Sequence, residues 1–246
     1  MPDAIFAEQR LAEIYDALDD DRSDLDVYLA LVDELGAQSV LDLGCGTGTF
    51  ACLLAARARE VIGVDPAAAS LDVARRKPTA GRVRWFEGHA GTLPPVEVEL
   101  VTMTGNVAQV FVTDEEWMST LHGVRAALRP SGFLVFEMRD PSQRAWEAWT
   151  PDASRRTVDI PGVGPVETWV ELTDVQPPLV SFRHTFVFSA DATTLTSDST
   201  LRFRERGEVT DSLVEAGFVV REVRDAPDRP GLEMVFVAGR GEGAGL

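Results

Sequence analysis

Cysteine is nearly missing from this chain of 246 residues. Cys45 and Cys52 stand seven positions apart, which makes neither a disulfide framework nor a zinc pattern. No apolar run reaches membrane-spanning length. The opening MPDAIFAEQR carries early acids where a secretory signal needs an apolar core. These absences predict a reduced, cytoplasmic protein. Positive charge is also short: 23 Lys and Arg face 40 Asp and Glu, a formal net charge of -17. Such a surface repels nucleic acid and anionic membrane. No basic cluster is large enough for a groove, since Arg82 and Arg84 read into a strand and ARRK (74–77) ends a helix. The densest acidic run, DALDDDRSDLD (16–26), reads as a solvated loop between two helices. There is no repeat, no low-complexity linker and no cluster of residues suited to a divalent metal.

With 45% hydrophobic residues the chain can bury a full core. Residues 3–19 carry a helical stripe, and a second helix starts at Ser23 or Asp24 and is closed by Gly36. Strands then alternate with helices. The predicted strands are 39–43, 60–64, 82–88, 99–104 and 133–138, and the predicted helices 47–58, 67–77 and one from Thr113 to Arg129, opened by a Thr113–Glu116 capping box. This rhythm predicts an α/β fold, doubly wound around a mostly parallel sheet. From Val166 to Arg204 the chain reads as strands without helices, an antiparallel meander inserted after the fifth strand. A last helix (208–216) and two strands follow. We therefore expect N-terminal helices or a lid over 1–38, an α/β domain over 39–140 and 206–246, and a β-rich cap over 141–205.

The stretch VLDLGCGTG (40–48) sets Gly44, Gly46 and Gly48 at a strand-to-helix junction behind Asp42. Glycines there allow a tight turn and close approach to backbone amides. A dinucleotide motif wants its third glycine at the sixth position, which here is Thr49. The observed spacing is acid-x-Gly-x-Gly-x-Gly. A carboxylate repels a phosphate, so the better ligand has an ammonium group, a carboxylate and no phosphate. S-adenosylmethionine (SAM) fits: the amides can take its carboxylate while Asp42 serves its amino group.

VLDLGCGTG resembles the first motif of the class I SAM-dependent methyltransferases, and later signals follow in that family's order. The resemblance implies a seven-stranded sheet with an antiparallel last strand, SAM as methyl donor and S-adenosylhomocysteine (SAH) as product. Cys45 and Thr47 fall inside the first motif. Asp65, in VIGVDPA with Pro66, matches the acid that the family places on the ribose hydroxyls. FEGHAGTLP (86–94) resembles the adenine-reading motif, with His89 where the family usually has Asp and Ala90 supplying an amide. Thr104, Gly105 and Asn106 match the segment at the methionine end. Tyr15 and Arg22 fall in a segment the family often lays over the donor.

A sulfonium donor is already activated, so positioning can carry the reaction and no metal is required. TGNV (104–107) lacks the Asn/Asp-Pro-Pro-aromatic motif of DNA amino-methylating enzymes, and with the acidic charge this predicts a small-molecule acceptor. The acceptor atom stays open between O, N and C. Val180, Phe182, His184, Phe186 and Phe188 alternate onto one strand face. His184 there is either a packed residue or a weak candidate for a general base. Arg139 and Trp146 are weak substrate candidates, and Trp149 is expected to pack the cap with Trp146. Cys45 is expected to pack rather than react. Two other readings stay open, an NAD-dependent oxidoreductase and a non-catalytic SAM-binding protein. The oligomeric state is open too, with the cap as the candidate dimer surface.

Overall fold

The structure, a computed structural model, describes residues 1–18, 21–93 and 95–241. Residues 19–20 of the acidic run, Pro94 at the end of the third motif, and residues 242–246 lie outside the described residues.

The helices are α1 (Ala4–Ala7), α2 (Gln9–Leu18), α3 (Leu25–Glu34), α4 (Thr49–Ala56), α5 (Ala68–Ala74), α6 (Asp114–Ala127), α7 (Pro151–Ser154) and α8 (Arg206–Glu215). The strands are β1 (Ser39–Leu43), β2 (Glu60–Asp65), β3 (Val83–Glu87), β4 (Val98–Met103), β5 (Leu128–Arg139), β6 (Arg156–Ile160), β7 (Gly164–Gln176), β8 (Leu179–Phe188), β9 (Thr193–Arg202), β10 (Phe218–Asp225) and β11 (Glu233–Arg240). Seven strands form one sheet in the order β10-β11-β5-β4-β1-β2-β3. The pairs from β3 through β5 are parallel, and β11 runs antiparallel to both β5 and β10. The strand order reverses between β1 and β4, the place where open α/β sheets bind ligands.

Both faces of the sheet are covered, so the strands read as near-continuous apolar runs. Leu41, Leu43, Val101, Met103 and Phe136 pack on one face with Trp117 and Leu121 of α6 and Leu213 of α8. Val40, Leu100 and Val135 pack on the other with Leu29 and Val32 of α3 and Phe50 of α4. Side chains of this size contribute about 1.5–3 kcal/mol each on full burial. The alternation has a consequence for the site: Asp42 and Glu137 belong to the α3/α4 face, one position beyond these apolar residues.

β6 to β9 form a second, antiparallel sheet in sequence order. β6 is absent from the predicted meander, which begins at Val166; its polar residues give it little strand signal, and pairing with β7 makes it a strand. The buried side of this sheet (Ile160, Val166, Phe186, Phe188) packs against Ile5, Leu11 and Ile14. Polar contacts add to this: the Ile5 amide donates to Ser197 Oγ at 2.9 Å, and Ser199 Oγ to Asp3 at 2.6 Å. The N-terminal helices therefore lie between the cap and the main sheet.

The single helix expected over 3–19 is two, because Glu8 leaves the helical region and its carboxylate accepts from the Arg10 and Leu11 amides to start α2. The Thr113–Glu116 capping box is present as expected. Its helix stops at Ala127, and Leu128 already pairs with Val98. Pro130 to Gly132 are thus an irregularity inside β5, where the register slips before Phe133 pairs with Leu100, so the strand starts earlier than the expected 133.

Candidate active site

The sheet ends its parallel strands in a glycine loop. Asp42, at 1% exposure, closes β1; its Oδ1 accepts from Thr102 Oγ1 at 3.1 Å and its Oδ2 is buried with no partner. Burial, with the nearby Asp65 charge adding to it, pushes its carboxyl up to about 7 against the opposing Thr102 bond. Gly44, Gly46 and Gly48 all have positive φ. At Gly48 the need for glycine is double: φ is +77°, and a Cβ would sit 2.5 Å from Trp85 and 2.7 Å from Ala74. At Gly46, φ is +52° but the space is open, the geometry of a cradle kept free.

The loop amides differ from the expectation. Gly44 and Cys45 donate to the Val64 carbonyl at 2.7 and 3.0 Å, Gly48 to the Cys45 carbonyl at 2.8 Å, and Gly46 to Asp65 Oδ2 at 2.8 Å. These four are satisfied within the protein, because β1–β2 pairing continues into the loop, so they are not a free nest for a ligand carboxylate. Asp65 also accepts from the Ala67 amide at 2.8 Å through Oδ1. Its carboxyl is raised by burial, against the pull of both amides. Cys45 is raised by burial and by both acids, so it is a protonated thiol that packs against Gly63. Pro66 is exposed beside them.

His89 caps a short 3-10 turn: its Nδ1 accepts from the Gly91 amide at 3.2 Å, and Ala90 behind it is buried. The ring is thereby engaged in its own turn. Thr104 and Gly105 follow β4 in partly open positions, while Asn106 is buried with φ +61°.

Asp16 of α2 reaches over the loop. It accepts from Thr47 Oγ1 at 2.6 Å and Thr49 Oγ1 at 3.3 Å, and pairs with Lys77 Nζ at 2.6 Å. Thr47 is therefore committed to the N-terminal helix.

Beyond the loop lies a cavity of about 560 Å³, bounded by the N-terminal helices, the ends of β4 and β5, and the cap. Tyr15, Arg22, Gly105, Asn106, Arg139 and His184 all line it. Trp146 does not: it is buried in the cap on Phe203, with ring centroids 4.5 Å apart, and Trp149 packs on Phe182 at 4.7 Å. Arg139 is no exposed rim residue. It bonds Gln109 at 3.2 Å, stands 4.0 Å from Glu233, lies over Trp149, and is lowered by burial. His184 stands between Phe182 and Phe186, and burial with the nearby Arg156 charge lowers it, which keeps the ring neutral.

Two strand acids of the cavity wall, Glu137 and Glu233, are missing from the sequence reading, as is the loop acid Asp228. The signal of the two strand acids was available: each is a lone charge in an otherwise apolar strand, FLVFEM and EMVFVAG. Glu137 Oε1 accepts from the Asn106 amide at 2.7 Å, and Glu233 Oε1 from Asn106 Nδ2 at 3.1 Å and Arg229 at 2.8 Å. Among the described residues, no three His, Cys, Asp or Glu gather to hold a metal. No helix among them is long and apolar enough to cross a membrane.

The structure thus holds a glycine cradle with one orphaned carboxylate oxygen and, beyond it, a partly open cleft of mixed polar and apolar lining. Residues 40–132 match the family described as "Methyltransferase domain". The cypemycin N-terminal methyltransferase of a Streptomyces species is 33% identical over 110 residues, covering 44% of this chain and 45% of that protein. The chain spans about half the length of the curated relatives it matches. Solved structures agree over nearly the whole fold. A SAM-dependent methyltransferase from Clostridium acetobutylicum has TM-score 0.77 at 16% identity, covering 94% of this chain and 98% of that one. The SAM-bound amino pentose methyltransferase CalS10 from Micromonospora echinaspora has TM-score 0.68 at 22% identity, covering 93% and 95%. The matched domain model and the shared fold favour a methyltransferase over a dinucleotide-dependent oxidoreductase.

Proposed function

We propose that this chain, by central domain and fold a class I SAM-dependent methyltransferase, methylates a small molecule held in the cavity between the cap, the N-terminal helices and the ends of β4 and β5. One observation carries the reading: a glycine loop with a buried, orphaned Asp42 oxygen stands in the same fold as a cleft of about 560 Å³ between the cap, the N-terminal helices and the ends of β4 and β5. That volume suits a small molecule and falls within the roughly 300–1,000 Å³ of ordinary ligand pockets.

The donor, when bound, supplies an electrophilic methyl group on a sulfonium. Asp42 fits its ammonium group, since a cation satisfies the orphaned oxygen and returns the carboxyl to its ionised form. Asp65 keeps lone pairs for ribose hydroxyls beyond its two amide bonds. The Gly46 cradle admits the ligand without a Cβ in the way. Ala90 and the turn capped by His89 suit the adenine, and Thr104, Gly105 and Asn106 the methionine end. The cap and α2 exclude water and fix the acceptor, which is the main work of such a catalyst. No metal is assigned a role. The two free thiols suit a reducing, cytoplasmic setting.

Calorimetry with SAH and, as control, NAD tests the donor site: SAH should bind and NAD should not. A labelled-methyl assay against a metabolite library then separates an enzyme from a protein that only binds SAM. SAH binding with no transfer to any metabolite favours the non-catalytic alternative, and absence of SAH binding sinks both.

A further inference from the structure

Glu137 is 2% exposed, lies in the cavity wall, and has an oxygen, Oε2, buried with no hydrogen-bond partner. A buried carboxylate left this way is costly unless a ligand completes it. Among the described residues no Lys or Arg forms an ion pair with Glu137, although the Arg139 charge reaches it. Oε1 takes the Asn106 amide at 2.7 Å, and the Tyr28 hydroxyl and the Gly105 amide also donate to the carboxylate, all three favouring its charged form against burial. The guanidinium groups nearby go to the other acid: Arg229 holds Glu233 at 2.8 Å, and Arg139 stands 4.0 Å from it. Glu233 adds like charge to the Glu137 site. Asp228, bonded to Arg229 at 3.6 Å, adds more negative charge on the Tyr28 side. The cavity wall carries Arg22, Arg139, Arg156 and Arg229 as well as acids, but Glu137 itself is a desolvated group with an unfilled acceptor oxygen, at the end of β5 beside the loop that follows β4.

We infer that the acceptor carries a basic amine and that Glu137 binds its ammonium group and takes a proton from it. This rests on the methyltransferase reading above. The step balances simply: one N–H bond of the ammonium breaks, its electron pair stays on nitrogen, and the proton forms an O–H bond with Glu137 Oε2. A cationic ammonium and a carboxylate become a neutral amine and a carboxylic acid. The nitrogen lone pair, masked in an ammonium ion, is then available for methylation. An aliphatic amine has a pKa near 10 in water, so a base in a dry pocket is what makes it nucleophilic at neutral pH. Burial raises Glu137 to about 7, which suits a group that must exchange a proton near that pH. A hydroxyl acceptor could fill the open oxygen with a hydrogen bond but would bring no counter-charge to it, and a carboxylate placed at that oxygen would meet like charge.

The test uses the full chain with SAH bound, read by saturation-transfer NMR against matched pairs of small primary amines and their alcohol counterparts. Amines should bind at least about tenfold better than alcohols, and Glu137→Gln should erase the preference while leaving SAH affinity within about twofold. Equal binding of the two classes, or of neither, overturns the inference. A second readout is labelled-methyl transfer. The wild-type rate with an amine should fall below about pH 7 along one ionisation. In Glu137→Gln the rate should drop about 100-fold and climb with pH as free amine becomes available in solution. Product methylated only on oxygen or carbon, or a variant of wild-type rate, overturns it. Loss of SAH binding in Glu137→Gln alone would assign Glu137 to the donor and also overturn it. Failure of the wild type itself to bind SAH would strike the methyltransferase reading instead.

Discussion

Asp65 Oδ2 accepts the Gly46 amide at 2.8 Å, so the acid that ends β2 braces the loop that follows β1. The same carboxylate holds the Ala67 amide at the start of the next helix. One side chain therefore fixes both walls of the proposed donor site.

Removing that carboxylate should cost stability as well as affinity. Asp65→Ala loses two charge-assisted bonds, each worth roughly 1.5–3 kcal/mol, and should lower both the melting temperature and SAH affinity, the latter at least about tenfold. Asp65→Asn keeps an acceptor for one amide and should lose less stability than affinity. Calorimetry and thermal unfolding on both variants decide this. Unchanged SAH affinity in either would move the ribose contact elsewhere.

The three loop glycines are not equivalent. Gly48→Ala places a Cβ 2.5 Å from Trp85 and should melt well below wild type. Gly46→Val meets open space, so its cost is the left-handed backbone, about 1–2 kcal/mol. It should remain folded and lose SAH binding, because the branched side chain fills the cradle. A folded Gly46→Val that binds SAH normally would remove the loop from the donor site.

Asp42 gives a pH signature. Its folded carboxyl sits at about 7 against an ordinary 3.8, so the folded state favours the protonated acid. The stability this gives is fully present below about pH 4 and is lost as pH rises through about 7, with Glu137 acting in the same direction. Asp42→Asn keeps an acceptor for Thr102 and should raise the melting temperature of the ligand-free protein at pH 8 by several degrees, while weakening SAM binding about tenfold. A melting temperature that stays level or falls at pH 8 would contradict the burial argument.

His184 should act by packing. Its ring is held between Phe182 and Phe186 and is lowered by burial, and among the described residues no acid pairs with it. His184→Gln should cost a few degrees of melting temperature and less than about tenfold in turnover per folded molecule. The ionisation near pH 7 should survive, since it belongs to Glu137. If the His184 change abolishes that limb and stability is untouched, the base is His184.

The main sheet was legible because its strands are short apolar runs punctuated by capping residues, and VLDLGCGTG announced its loop by spacing alone. Boundaries slipped where pairing overrides local signal. Pro130 reads as a break, yet Leu128 is already paired with Val98. Arg156–Ile160 has the composition of a loop and becomes β6 only through β7. The cavity residues were less legible for another reason. Periodicity tells which face a side chain occupies, but Tyr28, Glu137 and Glu233 converge from α3, β5 and β11, and only the antiparallel return of β11 beside β5 brings them together. Trp146 reads from the sequence first as cap packing and only second as a substrate candidate; Phe203, remote in sequence, buries it.

Asp16 ties α2 to Thr47, Thr49 and Lys77, all on the rim of the glycine loop. The same helix packs against the cap, so the roof of the acceptor cavity and the latch on the donor loop are one rigid piece. Whatever lifts that piece exposes both ligands at once. Added salt weakens the Asp16–Lys77 pair that holds the piece down and should therefore open both proposed sites together.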